Sequence, residues 1–219
     1  MSSTDVPPRA PEPGAPEPDA PEPPRPPAVT DPIGAMARLS PYERLFEQRV
    51  VFLRGALEET TADDLVAQLL ALDHDSDQPI TLLIDSPGGN TFGMFALHDV
   101  MASLRSPVHT RCVGLAASAG AFLLATGTGI RSATANASIM FHQPWGGTGR
   151  RTAIDIAKQA AQFADTRRRM QAILAERTGQ DYERIRRDLD RDHWLTADEA
   201  LAYGAIDEVI GTAPRVPAT

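Results

Sequence analysis

The sequence predicts an α/β domain built on a largely parallel sheet, and three observations carry that reading. Short apolar runs, VVFLR (50–54), ITLLID (80–85) and VHTRCVGL (108–115), recur along the chain. Between them lie longer stretches whose leucines and methionines repeat at helical spacing. Small-residue turns, SPGGN and AASAG, follow directly on two of the strand ends. Strands that alternate with helices in this way pair in parallel and are covered by those helices.

In chain order, VVFLR is a short buried strand, and TTADDLVAQLLALDHD (60–75) a helix whose threonines and acids suit an N-terminus. ITLLID is the second strand, broken by SPGGN. The next helix places Met94, Leu97, Met101 and Leu104 on one stripe. VHTRCVGL is the third strand and runs straight into a helix that starts near Ser118. Two short strands flank residues 130–141, and a long helix rich in Ala and Arg covers about 152–178. A helix near 181–190, one around 196–203 and the strand IDEVI (206–210) complete the domain. Residues 10–27, APEPGAPEPDAPEPPRPP, repeat an Ala-Pro-Glu-Pro unit. Proline removes the amide donor and fixes φ, so this stretch joins neither helix nor sheet. The expected organisation is a Pro-rich tail or leader over 1–32, one domain over 33–211 and a short tail over 212–219.

Composition narrows the function classes. The 219 residues are 42% hydrophobic with a net charge of −8, which disfavours nucleic acid and anionic lipid as partners. No apolar run reaches the length of a membrane span, and the N-terminus lacks the basic start and apolar stretch of a secretory signal. The single Cys112 lies in an apolar strand and reads as a buried, inert thiol. A reducing cytoplasm is the expected location.

Ligand sites in open α/β sheets lie beyond the carboxyl ends of strands. Ser118 is the one polar side chain in GLAASAGAFLLATG (114–127) before the threonine near its end. It either bonds to the preceding helical turn or acts as a nucleophile whose small neighbours leave room for a substrate carbonyl. In SPGGN the Gly-Gly pair is either a plain tight turn or a place where the Gly89 amide approaches an oxyanion. A helix beginning at Ser118 would add the Ala119 amide as a second donor. A serine nucleophile needs a base. Of five histidines, His142 ends the strand SIMF, while His74, His98, His109 and His193 read as solvated or packing residues. RRDLDRDHW offers Asp188, Asp190 and Asp192 as orienting acids, and Asp192 stands nearest the aromatic anchor.

Several separate stretches then agree with one family: YERLFEQRVVFLRG (42–55), SPGG (86–89), AASAGAFLLATG (116–127), HQPWGG (142–147), RTGQ (177–180) and DRDHWLTADEALAYGAID (190–207). The sequence resembles ClpP, the proteolytic subunits of the ATP-dependent Clp protease, from about Tyr42 to Ile210. The resemblance implies a ClpP/crotonase-like ββα spiral with a long handle helix. It implies Ser118 as nucleophile, His142 as base, Asp192 as orienting acid, and the amides of Gly89 and Ala119 as oxyanion donors. It also implies that Arg191 pairs across rings, a role to be weighed against a merely solvent-exposed arginine. It further implies two stacked heptameric rings of this chain or its paralogues, unfolded protein substrates, and a separate Clp/Hsp100 ATPase. No G-x-x-x-x-G-K-[ST] loop occurs, so ATP hydrolysis falls to that partner. No cofactor or metal is required.

Departures from the family pattern leave a second reading, a mainly structural, weakly active subunit of a mixed ring. Residue 119 is Ala where the family usually has Met, and TGRRTAID carries arginines at the handle entrance. A third reading, an acyl-CoA enzyme of the crotonase fold, would have no use for a Ser, His and Asp set. The strand ITLLID places Leu83 where the family usually has an aromatic for docking its ATPase. Because a Pro-rich tail buries almost nothing, deleting residues 1–32 should leave the thermal midpoint unchanged within about 2 °C by calorimetry.

Overall fold

The computed structural model describes residues 40–144 and 152–211. The two expected tails, and half of HQPWGG and of the handle entrance TGRRTAID, fall outside those residues.

The elements arise from local signals. Helix α1 (Pro41–Glu47) is too short for periodicity to announce; Ser40 and Glu43 close a capping box around its first turn. Strand β1 (Val50–Arg54) precedes α2 (Glu59–Asp75), whose Ala62, Leu65, Leu69 and Leu72 form its buried stripe. Strand β2 (Ile80–Ser86) leads through the Gly88-Gly89 turn to α3 (Thr91–Ser103), where the Asn90 side chain accepts from the Gly93 amide at 2.8 Å. Met94, Leu97 and Met101 of α3 are buried. Strand β3 (Val108–Ala117) runs into α4 (Ala119–Thr126), which is buried along its whole length. Then come β4 (Arg131–Thr134), β5 (Ser138–Phe141), α5 (Ala153–Thr178), α6 (Tyr182–Asp188), β6 (His193–Thr196), α7 (Ala197–Tyr203) and β7 (Glu208–Ile210).

The sheet is parallel in the order β1-β2-β3-β4-β7, as the alternation of elements requires. Strand β3 has two sets of neighbours. Its first half, Thr110–Cys112, pairs with β4, and its last residues, Leu115–Ala117, pair with β5. Between the halves the register against β2 jumps, from Ile84 opposite Cys112 to Ser86 opposite Ala116. Such a bulge bends a strand and re-aims the residues beyond it. Gly114 sits at the bend with φ +96°, and Asp85 Oδ1 accepts from the Leu115 amide there at 3.3 Å. One departure from parallel pairing appears: β6 runs antiparallel to β5. Sequence alone gives HWLT only as the approach to a helix, because four residues with one fully buried side chain carry too little alternation to announce a strand.

Helix α5 is about 39 Å long at 1.5 Å per residue. Its buried residues begin only at Thr166; its N-terminal half is largely exposed, with Gln159, Gln162 and Phe163 lining a cleft against α3, while its C-terminal half packs against the core. The far ends of three helices are gathered by one side chain. Arg131 Nη1 donates to the carbonyls of Ala125 at the end of α4, Arg177 at the end of α5 and Gly204 just beyond α7. Its Nε and backbone amide donate to Asp207 Oδ2. The cation therefore meets carbonyls at three helix C-termini, where the macrodipoles favour positive charge.

Arg131→Ala should lower unfolding free energy by about 3 kcal/mol in denaturant titration, since it leaves three carbonyls without their donor and strips the guanidinium from the Asp207 carboxylate, which keeps only the backbone amide. The Arg131 bonds also hold the Asp207 carboxyl below its ordinary range, against the opposing effect of burial. A depressed folded-state value stabilises above the unfolded value and is lost as pH falls through the folded one. The stability advantage of wild type over Asp207→Asn should therefore be full at neutral pH and shrink as the solution becomes more acid than the ordinary carboxylate range.

Candidate active site

The site forms where β3 ends. Ser118 is the N-cap of α4 and adopts φ 55°, ψ −119°, a conformation costly for a residue with a Cβ. It is held there from both sides. Its amide donates to the Met140 carbonyl of β5 at 2.8 Å, and its own carbonyl accepts from Phe122 at 3.0 Å. The surrounding small residues are a packing requirement: a Cβ on Gly120 would stand 3.1 Å from the Ser86 carbonyl, and one on Gly88 only 2.6 Å from Ser118 Cβ.

Two hydrogen bonds join the three expected side chains. His142 Nε2 lies 2.8 Å from Ser118 Oγ, and His142 Nδ1 lies 3.1 Å from Asp192 Oδ1. With the proton on Nδ1 the imidazole donates to Asp192 and accepts from the Ser118 hydroxyl. The sheet register produces this alignment. Phe141 of β5 stands opposite His193 of β6, so the next antiparallel pair is His142 and Asp192. On the other flank Ala117 is paired with Met140, which puts Ser118 beside the end of β5.

The other two candidate acids, and His98 and His109, have other occupations. Asp188 accepts from the Tyr203 hydroxyl at 2.9 Å and pairs with Arg184; burial and that carboxylate together push the Tyr203 phenol up. Asp190 pairs with Arg191, whose side chain is 85% exposed and also donates to the Asp190 carbonyl. Asp192 is thus the acid that reaches the imidazole. His109 Nδ1 accepts from the Ile130 amide, and His98 packs edge-on against Phe122, where burial lowers its pKa. The Cys112 thiol is buried and pushed up to about 12, chiefly by desolvation, as an inert core residue should be. Among the described residues no group of His, Cys, Asp or Glu side chains is placed to hold a metal ion.

The Gly88-Gly89 turn crosses in front of Ser118. Leu57 donates to the Gly88 carbonyl and accepts from the Asn90 amide, which fixes the turn in a short parallel bridge. Among the described residues the Gly89 and Ala119 amides donate to no protein acceptor. Gly89, at φ 150°, could not carry a side chain, because its Cβ would fall 2.3 Å from the Leu57 carbonyl oxygen. A hydroxyl, an imidazole, an oriented carboxylate and two unengaged backbone donors are the parts an acyl-transfer site needs.

Comparison with known proteins gives the family. The family described as Clp protease matches residues 34–213. The chain belongs to the Clp protease family. It is 48% identical over 171 residues to the ATP-dependent Clp protease proteolytic subunit 3 of Synechococcus sp. (strain CC9902), covering 77% of this chain and 86% of that protein. It is 43% identical over 174 residues to proteolytic subunit 1 of Thermobifida fusca (strain YX), covering 78% of each. Proteolytic subunit 2 of Prochlorococcus marinus (strain NATL2A) is 47% identical over 171 residues, covering 77% of this chain and 86% of its own. The Clp protease fold accounts for the seven-stranded sheet with its covering helices.

Sequence reasoning missed one residue that the site uses. Gln143, next to His142, donates from its backbone to the Leu189 carbonyl at 2.8 Å and from Nε2 to the Asp190 carbonyl at 3.1 Å. It ties the end of β5 to the segment that carries Asp192; its only sequence signal was its place beside the histidine.

Gly88→Ala should cost about 3 kcal/mol or more of stability in urea unfolding, because φ +96° is unfavourable for alanine and the new methyl overlaps Ser118. An unchanged midpoint would mean that the turn has room for a methyl group beside Ser118.

Proposed function

We propose that this chain is a serine endopeptidase subunit of a Clp-type protease, cleaving unfolded polypeptides that a separate ATPase delivers. The observation that carries the proposal is the continuous hydrogen-bond chain Ser118–His142–Asp192 beside two unengaged amides. In this reading His142 takes the Ser118 proton as Oγ attacks the scissile carbonyl. The amides of Gly89 and Ala119 receive the developing oxyanion, each worth roughly 3 kcal/mol of transition-state stabilisation. The imidazolium returns the proton to the leaving amine, and water then clears the acyl-enzyme by the same route. Asp192 holds the imidazole in the productive tautomer.

The same reading assigns residues 33–211 to the proteolytic domain, with 1–32 and 212–219 as tails, and places the protein in the cytoplasm. Among the described residues no helix is long and apolar enough to cross a membrane. It supposes two stacked heptameric rings of this chain, alone or with paralogues, joined through the N-terminal half of α5 and through Arg191. The ATPase would dock on the exposed face of β1–β3, where Phe52, Leu83 and Val113 line a depression of about 250 Å³ with Arg54 and Asp85 at its edge. The alternative, a ring subunit that cleaves little, is favoured by one feature: the Asp192 side chain is 60% exposed, so its position depends on what assembles around it.

Assembled particles should label at Ser118 with a fluorophosphonate probe, and Ser118→Ala should abolish labelling. Asp192→Asn should lower peptide hydrolysis about 10⁴-fold through the wrong tautomer, with Asp190→Asn far milder. Equal labelling of wild type and Ser118→Ala would remove the proposal. Leucine buries less surface than an aromatic anchor, so a ring of this chain alone should degrade a folded, tagged substrate poorly with its ATPase. Efficient degradation by the lone homomeric ring would contradict that expectation.

A further inference from the structure

A second cleft, of about 260 Å³, lies between the packed part of α5 and helix α6, lined by Gln143, Arg167, Gln171, Arg186, Arg187 and Asp190. Its chemistry is lopsided. Three arginine side chains line it in a chain whose net charge is −8. Arg186 engages Glu183 through Nε, which leaves its two terminal nitrogens without that partner. Arg167 spends Nη1 on Gln143 Oε1 at 3.0 Å. Arg187 has no carboxylate within 4.0 Å among the described residues. Gln171 is 2% exposed, its Oε1 accepts from the Tyr182 hydroxyl, and its Nε2 donates to no described acceptor. The opposing charge is Asp190, already facing Gln143 Nε2 at 3.4 Å and Arg191 at 3.2 Å.

We infer that this cleft binds a small tetrahedral oxyanion, a phosphate group, through Arg167, Arg186, Arg187 and the Gln171 amide. Three arginines on two helices and a buried amide line the cleft against a single carboxylate, an excess of positive charge. That suits phosphate better than a carboxylate, which one guanidinium fork satisfies in two bonds. The cleft is also mechanically joined to the candidate active site. Gln143 follows His142, receives Arg167 on one side and holds the Asp190 carbonyl on the other, two residues from Asp192. An anion that immobilises Arg167 and Arg187 stiffens this link, and with it the exposed acid. Gln143 and Arg167 act here as positioning residues, because neither reaches Ser118. This coupling, though not the anion site itself, rests on the peptidase reading above.

Phosphorus NMR titration of the full chain with orthophosphate, at ionic strength held constant by sodium chloride, should show saturable binding at one class of site. Arg187→Gln should weaken it about tenfold, the loss expected for a charge-assisted bond. Arg167→Lys, which retains charge without the fork, should weaken it by a smaller factor, and Lys158→Gln, well along α5 from the cleft, should not change it. Acetate should fail to compete; effective competition would identify a carboxylate site and overturn the assignment to phosphate. If Arg187→Gln does not fold, Arg186→Gln serves in its place and should show the same loss. Binding that does not saturate, or that survives these substitutions, refutes the site. For the coupling, phosphate should raise kcat for a short peptide with KM unchanged in wild type, and not in Arg187→Gln. Hydrolysis indifferent to phosphate, in a chain that binds it, would remove the coupling alone, and absence of hydrolysis with binding intact would count against the peptidase reading instead.

Discussion

The site depends on the register of one four-residue strand. Strand β5 is clasped between β3, parallel to it, and β6, antiparallel to it. The first pairing sets Ser118 beside the end of β5; the second sets Asp192 opposite His142. A shift of one residue in either ladder would turn the imidazole to the other face of the sheet and separate it from both partners. Three side chains from distant parts of the sequence are thereby aligned by backbone hydrogen bonds, which are stiffer than any contact among the side chains themselves.

That register in turn requires β3 to change neighbours part-way along. The bulge at Val113–Leu115, with Gly114 at positive φ and Asp85 bonded to the Leu115 amide, bends the strand away from β4 and toward β5. The strain of Ser118 is then sustained by bonds on both sides of it, to Met140 and Phe122. The small residues around it allow the Gly88-Gly89 turn and the start of α4 to meet without overlap. Ser118 sits among alanines and glycines because two backbone segments must approach a third there.

Much of this was legible in the chain. The strands VVFLR, ITLLID and VHTRCVGL announced themselves by continuous apolar character, α2 and α3 by their spacing of leucines and methionines, and α5 by its long run rich in Ala and Arg. Ser118 and the Gly88-Gly89 turn stood out because strand ends followed by small residues are where parallel sheets expose backbone amides. The acid was only weakly legible locally. Asp192 differed from Asp188 and Asp190 only in standing nearest the aromatic anchor, and what separates the three is the pairing of β6, a strand too short to read from alternation. The Tyr203 hydroxyl occupies Asp188 and Arg191 occupies Asp190, and those partners come from tertiary or neighbouring geometry that periodicity does not report. Arg131 was invisible for the same reason, since the three carbonyls it gathers lie at the ends of helices distant in sequence.

The most direct measurement is a crystal structure of the assembled protein carrying a covalent phosphonate on the nucleophile. The phosphorus should be bonded to Ser118 Oγ, with its free oxygen about 2.7–3.1 Å from both the Gly89 and Ala119 nitrogens. His142 should remain between the adduct and Asp192. A phosphonyl oxygen turned to solvent, or an imidazole bonded to an acid other than Asp192, would contradict the account of how the β5 register builds the site.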